Sequence, residues 1–321
     1  MRIARTALVM AAAVILVTVF GPATSPARAQ DAQKALSSES VIETIKQRGT
    51  IRVGLSTFVP WAMRDKNGEL IGFEVDVARK LAEDMGVDIE FVPTAWDGII
   101  PALLAGKFDV IIGGMSITPT RNLTVNFSLP YATSSLGVMA SKKLAEGLAW
   151  PDDYNSPDVT FVCRRGATPC IYIQDNFPKA TLRQFDDDGQ TQQEVLNGNA
   201  HALVASQPEP AFIIYDNPDV AFAPTDEKIE PHSDAFALRK GDPDALNFFN
   251  NWIMINIQSG WLLDTREYWF GGLEIVKPEH FALADAVGAA IAQVSGEVDR
   301  VYSLSEIGRD EALDDARRQA G

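Results

Sequence analysis

The sequence predicts an α/β protein of two lobes that are joined by two extended crossing segments, with a cleft between the lobes. Strand and helix patterns alternate over residues 41–112, and the alternation starts again at residue 159. Extended apolar stretches lie at Leu136–Lys142 and Ala235–Arg239. Alternation of this kind favours parallel sheets with helices on both faces, whose ligands gather at the carboxyl ends of the strands. Two crossings between such units are typical of a hinge around a closing cleft.

The first half of the pattern contains three strands and three helices. Helices are predicted at Val41–Arg48, Phe73–Met85 and Trp96–Leu104, and strands at Thr50–Leu55, Val87–Val92 and Phe108–Ile112. In the second helix apolar residues recur every four positions, and Gly86 follows as a left-handed cap. The segment Asp65–Gly68 is a turn signal, so we expect a hairpin between the first strand and this helix.

The second half repeats the alternation. Strands are predicted at Val159–Cys163, Thr181–Phe185 and Ala202–Ala205, and helices at Thr168–Asn176, Gln190–Asn197 and from Asp244 to about Ser259. We therefore expect lobe 1 to comprise residues 40–138 and 237–275, and lobe 2 to comprise residues 139–236. A helical pattern that begins at Glu279 dissolves into a charged end, which predicts a C-terminal helical extension and tail at residues 276–321.

The N-terminus has the pattern of a secretory signal peptide. Arg2 and Arg5 precede the apolar run Thr6–Phe20, and a small-x-small motif ends at Ala29. Because a membrane span needs about 20 apolar residues, this run favours a signal peptide at residues 1–29 over an anchor. We expect cleavage after Ala29 and export to the periplasm.

Composition excludes several other classes of protein. The formal net charge is -15, so a nucleic-acid partner, which would require a basic surface, is not expected. The three histidines His201, His232 and His280 show no metal-ligand spacing. We expect neither a metal site nor a cofactor.

The two cysteines, Cys163 and Cys170, allow two readings. In an oxidising compartment a disulfide would close a short loop between them. Two buried free thiols are the alternative, since cysteine packs well in apolar cores.

Four segments between residues 51 and 270 carry a resemblance to a known family. They are Gly72–Ala78, Trp96–Leu103, Gly114–Arg121 and Phe127–Tyr131. In order and spacing the chain resembles the family 3 extracellular solute-binding proteins of polar amino acid ABC transporters. The resemblance implies a two-lobed periplasmic binding protein fold of type II, with two crossing hinge strands and a ligand cleft between the lobes. It also implies capture of an amino acid or an amino-acid-like carboxylate solute for an inner-membrane ABC permease, and we expect a monomer.

In the first lobe the resemblance implies a carboxylate clamp. The third strand ends at a glycine, Gly114, which permits close approach of a ligand to the backbone. Ser116 and Arg121 follow it in the sequence. The arginine that matches Arg121 clamps the ligand's α-carboxylate in the family, as suits a guanidinium with two parallel donors.

The resemblance also implies two aromatic rings that sandwich the ligand. Phe58 and Trp96 occupy the corresponding positions, and a ring pair of this kind offers apolar contact and can hold a cation. Each could instead be a core residue, and Trp61 is a candidate for the core rather than the cleft.

In the second lobe the resemblance places Thr168 at a helix start that closes over the ligand carboxylate, a role compatible with helix capping. Arg164 lies where the family varies a residue that faces the ligand side chain. The family's ammonium-binding aspartate is replaced by Ser206, and a further acidic residue by Leu55. We therefore expect an anionic or side-chain-carboxylate ligand, with Glu209 available to replace the missing ammonium contact.

Two other functions remain open from the sequence. Cyclohexadienyl dehydratases share this fold, and Glu209 is the one candidate acid that can be placed near such a site, with no histidine beside it. A sensory role would require a separate membrane partner. Because no catalytic constellation accompanies Glu209, we expect a binding protein and not an enzyme.

Overall fold

The computed structural model describes residues 40–271. The predicted signal peptide at residues 1–29 and the predicted extension at residues 276–321 lie outside this range. Within residues 40–271, none of the helices combines the length and apolar character required to cross a bilayer.

The helices and strands alternate along the described chain. The helices are α1 (Val41–Arg48), α2 (Phe73–Met85), α3 (Ile99–Leu104), α4 (Pro119–Asn122), α5 (Lys142–Ala145), α6 (Thr168–Asn176), α7 (Asp188–Leu196), α8 (Glu209–Asp216), α9 (Pro243–Gln258) and α10 (Trp261–Phe270). The strands are β1 (Thr50–Leu55), β2 (Met63–Arg64), β3 (Leu70–Ile71), β4 (Asp88–Pro93), β5 (Val110–Ile111), β6 (Asn126–Ser141), β7 (Thr160–Arg164), β8 (Thr181–Phe185), β9 (Ala202–Ser206), β10 (Ala221–Phe222) and β11 (Ile229–Leu238). Short 3₁₀ turns occur at Trp96–Gly98 and Asp152–Tyr154.

One sheet runs through both lobes in the order β4–β1–β5–β11–β6–β9–β7–β8, with β10 beside β6. On one side β1 is parallel to β4 and β5, and on the other side β7 is parallel to β8 and β9. The central strands β6 and β11 are antiparallel to each other and cross between the two parallel groups. The fold is therefore the two-lobed α/β fold that the sequence predicts, and the exact limits of each lobe remain a prediction.

The crossing strands are longer than the apolar stretches that predict them. β6 begins at Asn126 and β11 at Ile229, well before Leu136 and Ala235. Residues in the early part of both strands are partly exposed. Their sequence has no continuous apolar run, so the pattern alone does not mark them as strands.

Each parallel group of strands has its own apolar core. In the first, α2 packs Phe73 and Leu81 against Ile51 and Val53 of β1, and all four side chains are completely buried. In the second, Phe161 of β7 and other apolar residues form a separate buried cluster. Burial of one such side chain contributes roughly 1.5–3 kcal/mol to folding, which holds the strand ends in place on either side of the cleft.

Two predicted elements differ in the structure. The helix predicted to start at Trp96 begins as a 3₁₀ turn, and α-helical geometry starts only at Ile99. Pro101 has no N–H to donate to the carbonyl four residues earlier, which explains the delayed α-helix. The strand predicted over Phe108–Ile112 is shorter in the structure, Val110–Ile111, although the flanking N–H groups of Asp109 and Ile112 also donate to carbonyls of β1.

Candidate functional site

The guanidinium of Arg121 joins the two lobes across the cleft. Its backbone N–H is bound by the Thr118 side chain at the start of α4, at 3.2 Å. Its Nη1 donates to the Ser116 carbonyl at 3.0 Å, and its Nη2 donates to the Gly166 carbonyl of the second lobe at 3.3 Å. This arrangement fixes a positive group at the cleft with other N–H donors still available.

Arg121 remains a cation in this environment. Burial lowers the pKa of its guanidinium to about 10, helped by the positive charge of Arg164 and opposed by Asp234. At neutral pH the group is charged, as binding of a carboxylate requires.

The aromatic residues expected at the cleft are buried there. Phe58 and Trp96 are 4% and 5% exposed. Trp61 stacks on Phe58 with ring centroids 5.6 Å apart, belongs to the apolar core, and donates its Nε1–H to the Gln207 carbonyl at 3.2 Å. Trp61 is thus a core residue, as the alternative reading expects, and it also contacts the opposite lobe.

Arg164 ends β7 and extends to the rings of the first lobe. Its Cζ lies 4.8 Å from the Phe58 ring centroid and 4.6 Å from that of Trp96. Its Nη1 is 2.8 Å from Asp188 Oδ2, in an ion pair with both side chains buried. The structure therefore brings Phe58, Trp96, Arg121 and Arg164 into one cluster.

Glu209 is buried behind this cluster. Its Oε1 accepts a hydrogen bond from Gln192 at 2.7 Å. Burial, together with the negative charge of Asp188, raises the pKa of Glu209 well above its ordinary value, although Gln192 and Arg164 lower it. Glu209 is 1% exposed and already hydrogen-bonded to Gln192, so it is a poor candidate for the ammonium contact that the sequence suggests for it.

Thr168 and Ser206 lie at the ends of elements that border the cleft. Thr168 is the first residue of α6, and the capping position is held by Ala167 with no side-chain cap. Thr168 is therefore not the capping residue that the alternative interpretation makes it, because the helix begins one residue earlier than a cap at Thr168 requires. Ser206 ends β9, half-buried, opposite Leu136.

Gly114 lies where the backbone comes closest to the aromatic cluster. Its φ of 61° lies in the left-handed region, and a Cβ there would approach Phe58 Cζ to 2.8 Å. Its N–H donates to the Tyr131 hydroxyl at 3.1 Å. Leu55, in contrast, is fully buried in an apolar cluster, so its position does not offer a polar contact to a ligand.

Asp234 is a charged residue of the site that the sequence analysis does not identify. It lies on β11, where its backbone forms an isolated antiparallel β-bridge with Ser116, and it is 1% exposed. Burial raises the pKa of Asp234 to about 7, against the lowering effects of Arg266, Arg121 and the Ser116 hydroxyl. An acidic residue within an otherwise apolar crossing segment is the sequence signal that could have revealed it.

Cys163 and Cys170 form a disulfide, with Cα atoms 5.5 Å apart. Of the two interpretations of the cysteines, the structure therefore has the disulfide and not the two free thiols. The bond brackets the loop that carries Arg164 and Gly166, so it limits the movement of the second lobe's edge of the cleft.

Metal binding finds no support in the described part of the chain. Between residues 40 and 271, no group of three or more His, Cys, Asp or Glu side chains is arranged to hold a metal ion.

Comparison with known proteins identifies a matching family. The sequence model of the bacterial extracellular solute-binding proteins, family 3, matches residues 51–272. The L-cystine-binding protein of Escherichia coli strain K12 is 29% identical over 239 residues, which are 74% of this chain and 89% of that protein. The cyclohexadienyl dehydratase of Pseudomonas aeruginosa is 24% identical over 73% of this chain and 87% of the enzyme.

A similar solved structure is that of an ancestral amino acid-binding protein, described as a precursor of cyclohexadienyl dehydratase. It is 40% identical, with a TM-score of 0.66, and the match covers 72% of this chain and 99% of that one.

Proposed function

We propose that this chain, which belongs to the bacterial extracellular solute-binding proteins of family 3, is the periplasmic substrate-binding component of an ABC importer for an amino acid or an amino-acid-like carboxylate. The supporting observation is the position of Arg121. Its guanidinium joins Ser116 of one lobe to Gly166 of the other and retains donors for a carboxylate.

Capture depends on closure of the two lobes around the solute. The solute first meets Arg121 and the rings of Phe58 and Trp96, and residues 164–168 of the second lobe then close over it. Because a ligand shifts an equilibrium only through its preference for one state, contacts to both lobes favour the closed form. An inner-membrane permease then receives the loaded, closed monomer.

The exported location is part of the same proposal. The apolar segment after Arg5 and the motif ending at Ala29 are the sequence features of a cleaved signal peptide. Mass spectrometry of the protein recovered from the periplasm is expected to show an N-terminus at Gln30, whereas retention of residues 1–29 would contradict cleavage.

Amino-acid binding has support from relatives. One similar protein is named for L-cystine, and the ancestral structure is described as amino acid-binding. In both names the ligand is an amino acid, which carries the α-carboxylate that Arg121 is positioned to bind.

Calorimetric titration tests this function directly. The mature protein is unfolded, washed to remove any retained solute and refolded, and is then titrated with amino acids and small carboxylates. At least one is expected to bind, and Arg121→Gln is expected to lose binding by roughly 100-fold, because charge-assisted hydrogen bonds contribute about 1.5–3 kcal/mol.

Arg52→Gln provides the control for this titration, since Arg52 pairs with Glu90 on the surface at 3.1 Å and does not contact the cleft. Unchanged affinity is expected in this variant. If no amino acid or carboxylate binds the wild type, or if Arg121→Gln binds as tightly, the proposal fails.

A dehydratase is the second candidate function, and the buried carboxyl group of Glu209 favours it. Burial raises the pKa of Glu209, and a carboxyl group with a raised pKa is suited to donate a proton in catalysis. The test is turnover of prephenate or arogenate by wild type and Glu209→Gln. We expect no turnover by either protein, and turnover that Glu209→Gln abolishes would establish the enzyme instead.

A further inference from the structure

The aromatic pair of the first lobe is contacted by a cation from the protein itself. Arg164 extends from the second lobe, and its Cζ lies within 5 Å of the ring centroids of both Phe58 and Trp96. Rings are attractive to a guanidinium at this distance. A cationic part of a solute would therefore have to compete with Arg164 for the same two rings.

Arg164 is held firmly in this position. The ion pair with Asp188 is buried on both sides, and Cys170 Sγ lies 2.9 Å from the Arg164 carbonyl oxygen, next to the disulfide. Moving the side chain away would leave Asp188 buried without its partner, which is strongly unfavourable. A ligand that displaced Arg164 would have to compensate for this loss.

Two guanidinium groups lie close to the same aromatic ring of the cleft. Arg121 lies over the same Trp96 ring, at 5.7 Å from its centroid, and the charge of Arg164 lowers the pKa of the Arg121 guanidinium. Arg266 lies beside Asp234, and the buried acids of this region are Asp188, Asp234, Glu209 and Glu74, whose pKa values burial raises above the ordinary range. Next to Trp96, these two guanidiniums would repel a further cation and attract an anion.

Arg164 also has a free hydrogen-bonding position. Among the described residues, no acceptor binds its buried Nε–H, and its contact with Asp188 lacks the geometry of a hydrogen bond. A buried donor without an acceptor is costly, and a ligand oxygen would relieve that cost.

We propose that Arg164 is the specificity-determining residue of the cleft and that the solute carries a second carboxylate, opposite Arg164, in addition to the one that binds Arg121. This inference rests on the proposed function and narrows it to dicarboxylic amino acids. The two guanidiniums approach Trp96 from opposite lobes, so a solute with two carboxylates bridges the lobes and stabilises closure.

Paired ligands of similar shape test the second carboxylate. The refolded mature protein is titrated calorimetrically with L-glutamate and L-glutamine, L-aspartate and L-asparagine, and with L-lysine and L-arginine. An acidic amino acid is expected to bind roughly 10- to 100-fold more tightly than its amide, with the cationic amino acids weakest. Equal or tighter binding of an amide or a cationic amino acid overturns this inference and leaves the proposed function intact.

Variants of Arg164 test its role separately. Arg164→Gln is expected to reduce the ratio of acid to amide affinity to near one, and Arg164→Lys to retain a part of it. Arg183→Gln is the matched control, because Arg183 lies in the same lobe outside the closing loop, is partly exposed and pairs with Glu194 at 2.8 Å. It is expected to leave the ratio unchanged.

A double variant controls for any folding defect caused by an unpaired Asp188. Arg164→Gln leaves Asp188 unpaired, so Arg164→Gln combined with Asp188→Asn removes both charges at once. The double variant is expected to fold and to bind acid and amide equally. If either variant keeps the wild-type ratio, Arg164 does not determine specificity and the inference is wrong.

Discussion

The hydroxyl of Tyr131 lies 2.7 and 2.6 Å from the two carboxyl oxygens of Glu74 and accepts the backbone N–H of Gly114 at 3.1 Å. Both side chains are buried, Glu74 completely. One hydroxyl thus fixes the glycine turn at the floor of the cleft and satisfies a carboxyl group from α2.

Removal of this hydroxyl is expected to destabilise the protein. Tyr131→Phe leaves the Gly114 N–H and the Glu74 carboxyl without their shared partner, and each unsatisfied buried group costs about 1–3 kcal/mol. We expect a loss of about 2 kcal/mol or more in the free energy of unfolding by urea. Tyr268→Phe, at a tyrosine that is 64% exposed, serves as the control. Equal stability of the two variants would contradict the role of Tyr131.

The Tyr131 network illustrates what the sequence can predict. The segments that contain Glu74, Gly114 and Tyr131 are all visible as family motifs, and α2 has the bounds Phe73–Met85 that its apolar spacing predicts. The contacts that join the motifs depend on how separate elements pack. Periodicity along one segment carries no information about such contacts.

The same limit explains the errors at the site. Asp188 is the first residue of helix α7, and it pairs with Arg164 at the end of strand β7. Nothing close to either residue in sequence indicates this pair. Glu209 and Asp234 are visible as acidic residues, but their protonation depends on burial that the fold creates. The sequence therefore predicts the residues at the cleft better than their charges.

Asp234 is expected to make stability depend on pH. Burial raises its pKa to about 7 in the folded state, above the ordinary 3.8, so the folded protein binds the extra proton between about pH 4 and 7. Stability from this group is therefore present at low pH and is lost as pH rises through 7. The shift corresponds to about 4 kcal/mol, at about 1.4 kcal/mol per pKa unit.

The measurement compares wild type with Asp234→Asn in urea at pH 5 and pH 8. The variant cannot ionise, so we expect it to gain stability relative to wild type at pH 8 and to show a smaller difference at pH 5. The neighbouring His232, Glu74, Arg121 and Arg266 are present in both proteins. Asp226→Asn, at an exposed position, is the control. A difference that does not change with pH would show that Asp234 titrates normally.

Gly166 is expected to permit closure of the cleft. Its φ is 74°, and an added Cβ would lie 3.1 Å from Asp97 Cα and 3.2 Å from Asp97 Cβ in the opposite lobe. Gly166→Ala should therefore weaken binding of the identified solute by roughly tenfold through strain in the closed state.

Gly147→Ala separates the two causes of strain at Gly166. Gly147 has a φ of 89° but no atom within 4 Å of an added Cβ. The Gly147→Ala variant should lose a similar amount of folding stability through backbone strain. In calorimetry it should keep the wild-type affinity for the solute. Equal affinity of wild type and Gly166→Ala would show that this contact does not limit closure.

The disulfide is expected to stabilise both the fold and the cleft. Cys163 and Cys170 are separated by seven positions, and a cross-link over so short a loop contributes about 2.5 kcal/mol when its effect is treated as lost entropy of the unfolded chain. Replacement of both cysteines by serine should lower the free energy of unfolding by roughly that amount. Because the loop carries Arg164, the preference for an acidic amino acid over its amide should also fall. Since the chain has two cysteines, reductant provides the control: it should destabilise wild type and leave the double variant unchanged. A reductant effect on the double variant, or none on wild type, would contradict a stabilising disulfide.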